Sequence, residues 1–362
     1  MSLVPEFISS LSPYVPGKPI EETEREYGIQ NAVKLASNEN PLGPSPKAMA
    51  AIRNALPKMH LYPDGASFYL KNALSSFLGV PSEEIMLGNG SNELIELLIR
   101  TFVHGDDELL LSAQTFVIYR ISAQAVGRRF VEVPMKDRRY DLEAMAKAVT
   151  DRTRLVFIAN PDNPTGSWQS EQAVVRFLES LPERVLVVMD EAYYEYVTAD
   201  DYPDSMALRR RFPNLIVMRT FSKAYGLAGI RLGYAVARPE IVDFVNRTRA
   251  PFNVSAVAQV AGIAALEDQE HVRRARELNT KGLQQLAEEL PKLGLSVQPS
   301  QSNFYLVDFH RPAGPFYEPL LREGVIVRPM GGYGFGTCAR INTGTAADHE
   351  RLFAALAKVL GK

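Results

Sequence analysis

Thr220-Phe-Ser-Lys-Ala-Tyr-Gly-Leu-Ala-Gly-Ile-Arg-Leu-Gly-Tyr234 follows the short apolar run Leu215-Ile-Val-Met218. A run that brief, bounded by turn formers, reads as a buried strand and not as a helix. Lys223 therefore lies just past a strand end, in a loop where Ala224, Gly226, Ala228 and Gly229 let other backbone or a ligand come close. Burial there disfavours the ammonium form, lowers the pKa and frees an amine for a Schiff base with an aldehyde. Ser222 and Arg231 add a hydroxyl and a planar guanidinium, a pair suited to holding a phosphate. Aldehyde and phosphate on one small cofactor describe pyridoxal 5'-phosphate. A surface lysine beside a structural arginine is the plainer reading of the same stretch.

Outward from this stretch, strand signals recur at residues 84–87, 108–111, 129–133, 155–159 and 185–189, mostly with helical patterns between them, such as 69–78 and 93–103. That alternation predicts an α/β layer, a mainly parallel sheet covered by helices on both faces. Ligands of such sheets gather at the carboxyl ends of the strands. Four loops fall there: residues 88–92, 160–166, 190–193 and 220–231.

Each loop meets a different requirement of the cofactor. Gly88-Asn-Gly-Ser-Asn92 places free backbone N–H groups at a helix N-terminus, where the macrodipole favours a phosphate. It lacks the Gly-Lys-Ser/Thr ending of a nucleotide loop, and alone it is an ordinary strand–helix turn. In Asn160-Pro-Asp-Asn-Pro-Thr-Gly166, two X-Pro bonds and a closing glycine make a rigid loop that suits Asn163 for presenting its amide to a ring oxygen. Asp190 ends the apolar run Val185-Leu-Val-Val-Met189, where a carboxylate is costly unless paired. A protonated pyridine nitrogen is such a partner, and Tyr193 is placed to donate its phenol to the ring oxygen. A salt bridge or a helix cap would also account for Asp190.

Composition narrows the classes. Basic and acidic residues nearly cancel, 40 against 42, so no global field recruits nucleic acid or an anionic membrane. A single cysteine, Cys338, excludes an internal disulfide and a multi-cysteine zinc site, and the five histidines show no ligand spacing, so no metal is expected. The start Met1-Ser-Leu-Val-Pro-Glu lacks the basic and apolar regions of a signal peptide, and no segment reaches transmembrane length. The expectation is a cytoplasmic protein.

Together the four loops resemble the fold type I pyridoxal-phosphate-dependent aminotransferases, over nearly the whole chain. The resemblance implies that Lys223 is the Schiff-base lysine and that Asp190 partners the pyridine nitrogen. It assigns Asn163 and Tyr193 to the ring oxygen, and Ser91, Asn92, Thr220, Ser222 and Arg231 to the phosphate end. Phe116 falls at the ring-stacking place where tyrosine is frequent, keeping the stacking face without the hydroxyl. Tyr62, in Leu61-Tyr-Pro-Asp-Gly65, resembles a tyrosine that reaches the phosphate from the partner subunit, which implies a homodimer with shared sites. Leu61 stands where arginine is common. Within the family, the arm Leu11-Ser-Pro-Tyr-Val-Pro-Gly-Lys18, the loop Asn38-Glu-Asn-Pro41 and Val325-Ile-Val-Arg-Pro329 resemble the histidinol-phosphate aminotransferases.

That subgroup implies amino-group transfer between histidinol phosphate and 2-oxoglutarate, in histidine biosynthesis. Tyr14, Asn38, Arg328 and Arg340 are the substrate-side candidates. The two arginines flank Gly331-Gly-Tyr-Gly-Phe-Gly336, either a flexible surface loop or a mobile lid over an anion held by two guanidinium forks. An aromatic amino acid aminotransferase and a threonine-phosphate-decarboxylase-like lyase would use the same cofactor groups. The expected organisation is an arm over residues 1–30, a large cofactor-binding domain over 31–260, and a smaller C-terminal α/β domain over 261–362. Long helical patterns at 255–267 and 271–290 bridge to the latter, which holds strands near 295–297, 303–308 and 325–328 and a last amphipathic helix opened by Thr345 and Asp348.

Overall fold

Residues 3–362 are described by a computed structural model. Seven short apolar runs form its main sheet: β1 (Ile85–Gly88), β2 (Glu108–Ser112), β3 (Arg129–Val133), β4 (Thr153–Ala159), β5 (Leu186–Asp190), β6 (Leu215–Thr220) and β7 (Gly233–Val236). Their order is β1-β7-β6-β5-β4-β2-β3, with every pair from β6 to β3 parallel. β7 runs antiparallel to both β6 and β1. Two reversals restore the direction of β1, so its carboxyl end lies on the same edge as those of β4, β5 and β6. The mainly parallel sheet is as expected. β7 is the strand that the sequence reading left out.

Side chains alternate across the sheet with period two. Leu186, Val188, Ile216 and Met218 enter the core beneath helices Ser91–Phe102 and Ile118–Ala125. Val187, Met189, Leu215 and Val217 enter the opposite core, with Val174 and Phe177 of helix Glu171–Glu179. Both faces are covered, which is why β5 and β6 are apolar up to their carboxyl ends, where Asp190, Arg219 and Thr220 stand. The alternation also decides which side chains at the strand ends face the site.

A second sheet, in the order β10-β11-β9-β8, is built from β8 (Ser296–Val297), β9 (Phe304–Asp308), β10 (Arg328–Pro329) and β11 (Cys338–Asn342), all antiparallel. Helix Ala346–Leu360 covers it, opened by the expected Thr345 and Asp348 capping box. The single strand expected at 325–328 is a correction. Val325–Ile326 pairs in parallel with Val33–Lys34, and Arg328–Pro329 pairs separately with β11. Pro329 has no N–H to extend a ladder, so β10 is short and lies at the sheet edge. Val33–Lys34 and Leu35 pack with these C-terminal elements, although they belong to the first part of the chain.

Candidate active site

The carboxyl ends of β4, β5 and β6 and the amino end of helix Ser91–Phe102 enclose a cavity of about 170 Å³. Ser91, Asn92, Phe116, Asn163, Asp190, Tyr193, Thr220, Ser222, Lys223 and Arg231 all line it. The structure thus brings together ten of the eleven residues assigned to the cofactor from sequence. Tyr62 is the exception. It is 83% exposed and stacks on Phe252 at 4.8 Å between ring centroids, outside the cavity of its own chain.

At one end of the cavity, Arg231 Nη1 lies 3.4 Å from Ser222 Oγ and donates to the Ala228 carbonyl at 3.0 Å. Thr220 Oγ1 accepts from the Ser222 N–H at 3.1 Å, which holds the turn after β6. Gly90 has φ +77°, and a Cβ there would fall 2.3 Å from Arg231 Nη2. Only glycine lets the helix N-terminus and the guanidinium come this close. N–H groups at a helix start, a hydroxyl and a guanidinium converging on one spot make an anion cradle.

At the opposite end, Asp190 is buried, with Oδ2 accepting the Tyr119 phenol at 2.7 Å. Its Oδ1 has no partner among the described residues. Burial pushes this carboxyl up to about 6, against the pull of the Tyr119 hydrogen bond. An acceptor left free in a cavity wall calls for a cationic donor from a ligand. Between the two ends, the Lys223 Nζ donates to the Ser37 carbonyl at 3.3 Å. Burial, with Arg340 and Arg231 nearby, lowers this amine to about 8. Tyr193 accepts from Asn38 Nδ2 at 2.8 Å, and the Phe116 ring meets Tyr119 edge to face at 5.6 Å. Anion cradle, depressed amine, phenol and free carboxylate oxygen fit the phosphate, aldehyde, ring oxygen and ring nitrogen of pyridoxal phosphate.

Residues 30–356 match the sequence profile of aminotransferases of class I and II. The chain belongs to this aminotransferase family. It is 57% identical to a histidinol-phosphate aminotransferase of Anaeromyxobacter sp. over the full length of both chains. It is 50% identical to histidinol-phosphate aminotransferase 1 of Nitrosococcus oceani, over 98% of this chain and 95% of that one. A solved histidinol-phosphate aminotransferase from Sinorhizobium meliloti, in complex with pyridoxal-5'-phosphate, superposes with a TM-score of 0.92. It is 34% identical, with 100% of this chain and 98% of that one covered. The fold of this aminotransferase is therefore fold type I, with helices on both sides of its sheet.

None of the four substrate-side candidates lines this cavity; Asn38 and Arg340 touch its wall through Tyr193 and Asn163, and Tyr14 and Arg328 lie farther out. Arg340 is buried, giving Nη1 to Asn163 Oδ1 at 2.5 Å and Nη2 to the Ala36 carbonyl at 2.6 Å, while its Nε has no partner among the described residues. Arg328 stands directly opposite Arg340 in the β10–β11 register. Like charges facing across a strand pair repel, and an anion between them offsets that cost. Arg328 donates to the Val15 carbonyl at 2.5 Å and lies 5.8 Å from the Tyr14 ring, so the arm reaches this point. Of the aminotransferase's site residues, sequence reasoning missed Tyr119. In a helix with buried Ile118, Ser122 and Ala123 it reads as core packing, and the sequence carries no signal that sets it apart.

Proposed function

We propose that this enzyme transfers an amino group between histidinol phosphate and 2-oxoglutarate, as a pyridoxal-phosphate-dependent aminotransferase of histidine biosynthesis. What carries the reading is one cavity lined by Asp190, whose Oδ1 is unpartnered among the described residues, by Lys223 with its depressed amine, and by the anion cradle. Bound pyridoxal phosphate supplies an aldehyde that captures the amino group and a ring that takes up the electrons released at the substrate carbon. Asp190 holds the ring nitrogen protonated through Oδ1. Phe116 would stack on the ring, and Asn163 and Tyr193 would hold the ring oxygen through an amide and a phenol. Ser91, Asn92, Thr220, Ser222 and Arg231 bind the phosphate.

The Lys223 amine would bind the aldehyde and, when free, would accept and return the proton of the substrate carbon. A pKa near 8 suits a group that must be a free base in one step and an acid in the next. Arg340 binds the carboxylate of 2-oxoglutarate, and Arg328 adds a second fork when a phosphate replaces it. Asn38 keeps Tyr193 in place through its amide.

We place the site in a homodimer. Leu61, Tyr62, Phe68, Tyr69 and Phe252 are all exposed, with Tyr62 stacked on Phe252 and Phe68 edge-on to Tyr69, large apolar side chains of the kind an interface covers. Within such a dimer Tyr62 extends to the partner's phosphate cradle, which Arg231 leaves open on its exposed side. Among the described residues no helix is long and apolar enough to cross a membrane, and we assign the enzyme to the cytoplasm.

Glutamate formation from 2-oxoglutarate tests the activity, with histidinol phosphate, phenylalanine and tyrosine as donors. The highest kcat/KM is expected with histidinol phosphate. A higher value with phenylalanine or tyrosine would replace it by an aromatic amino acid aminotransferase, and carbon dioxide release without glutamate by a decarboxylase.

A further inference from the structure

Asp190 and Thr220, at the ends of β5 and β6, face the cavity. By strand alternation Glu191 and Arg219 face the other side of the sheet, and there they meet each other. Arg219 Nε and Nη2 both donate to Glu191 Oε2 at 2.8 Å, with the pair almost fully buried. The Tyr194 ring covers the guanidinium at 3.5 Å. The Tyr202 phenol donates to the Asn160 carbonyl and lies 3.4 Å from Glu191 Oε1. Four side chains thus join three strand ends, and those ends carry Asn163, Asp190 and the Ser222–Lys223 turn.

We infer that the Glu191–Arg219 ion pair is a positioning device for the reaction, holding Asp190 and Lys223 at a fixed separation from the far side of the sheet. Backbone pairing contributes the Glu191 N–H to the Met218 carbonyl at 2.8 Å. Beyond that bond β5 and β6 diverge into separate loops, so the ladder no longer sets their spacing. The buried Arg219 does, because its Nε and Nη2 both hold Glu191 Oε2 while the Tyr194 ring covers the guanidinium plane. A buried pair of this kind is weak support for stability and is often replaceable by apolar side chains of similar size. Its consequence is therefore sought in catalysis.

This inference rests on Asp190 and Lys223 contacting the cofactor, as proposed above. The test uses the holoenzyme carrying both Glu191→Leu and Arg219→Met, which leaves no lone ion of the pair; Glu195, which faces the same guanidinium, turns neutral more readily without it. The double variant should fold and bind cofactor. Its kcat should fall roughly 10- to 100-fold at an unchanged KM, since displacement of about 1 Å has that effect. The pH titration of its cofactor absorption band should shift as well. A folded double variant with wild-type kcat and an unmoved titration overturns the inference. If the double variant does not fold, Arg219→Lys decides by the same two readouts, since an ammonium keeps the charge without the fork. Asp190→Asn and Lys223→Ala run alongside. If these also behave as wild type, the site assignment itself fails; if only they lose function, the positioning inference fails alone.

Discussion

The Tyr119 phenol donates to one oxygen of the Asp190 carboxylate at 2.7 Å and leaves the other buried without a partner among the described residues, on a residue that lines the cavity. This orients the carboxylate for a single charged contact. Burial raises Asp190 to about 6, above the ordinary carboxylate value of 3.8. The folded cofactor-free protein therefore binds more protons than the unfolded chain between those values, and loses stability as pH rises through that window. A protonated ring nitrogen at Oδ1 removes the penalty. The gain in Tm on adding cofactor should be larger at pH 8 than at pH 5, and the difference should shrink in Asp190→Asn. Equal gains at both pH values in the wild type would count against the pairing. The same variant should lose kcat far more than Tm, because a neutral amide does not hold the ring nitrogen protonated.

Lys223 gives a second pH signature. Lowering an amine from 10.5 to about 8 raises its free-base fraction near neutrality by roughly 300-fold. Cofactor capture should accelerate as pH rises toward 8 and level off above it. Stopped-flow absorbance measures this directly. A rate still climbing tenfold per unit at pH 9 would mean an unperturbed lysine. Lys223→Ala should keep cofactor by its phosphate, lack the lysine-bound absorption band, and show no turnover without added amine.

The loops were legible because each ends an apolar run, and a charged or amide side chain there has few structural uses. Lys223, Asp190 and Asn163 came from that pattern together with the family resemblance. Tyr119 did not, since a tyrosine on an amphipathic helix is indistinguishable from core until its phenol is seen on Asp190. β7 stayed hidden because Gly233-Tyr-Ala-Val236 is short and follows a glycine-rich loop that was read for its chemistry. The division of residues 325–329 between two sheets depends on Val33–Lys34, almost a full chain length away, which local pattern does not encode.

Tyr62 is placed to test the dimer. Its ring rests on Phe252, whose φ of +55° is rare for a bulky side chain, so the pair is held on the surface by the surrounding fold. Lys223→Ala and Tyr62→Phe homodimers should each be impaired, the second chiefly in cofactor affinity. Mixed under exchange, they should form heterodimers with one site free of both lesions, and activity at limiting cofactor should rise toward about a quarter of wild type for random pairing of equal amounts. No recovery in demonstrated heterodimers would remove Tyr62 from the shared site. Full activity in a chain shown to be monomeric would remove the dimer requirement.

Arg328 and Arg340 face each other across β10 and β11, and they differ in what they do without substrate. Arg340 is buried on the Ala36 carbonyl and on Asn163 of the cavity wall, with burial lowering its pKa from the ordinary guanidinium value. Arg328 is half-buried and holds the Val15 carbonyl of the arm. A carboxylate reaching the site is within the scope of Arg340, whereas a phosphate brings more acceptor oxygens and additional negative charge, which a second fork satisfies. Losing one charge-assisted contact costs about 1.5–3 kcal/mol, or roughly 10- to 150-fold in affinity. Arg328→Ala should raise the KM for histidinol phosphate by that order and affect phenylalanine much less. Arg340→Ala should impair both donors and 2-oxoglutarate, since it removes the contact common to every half-reaction. Steady-state kinetics with the two donors checks this. Equal losses for phenylalanine and histidinol phosphate in Arg328→Ala would mean that Arg328 anchors the arm through Val15 and does not read the phosphate.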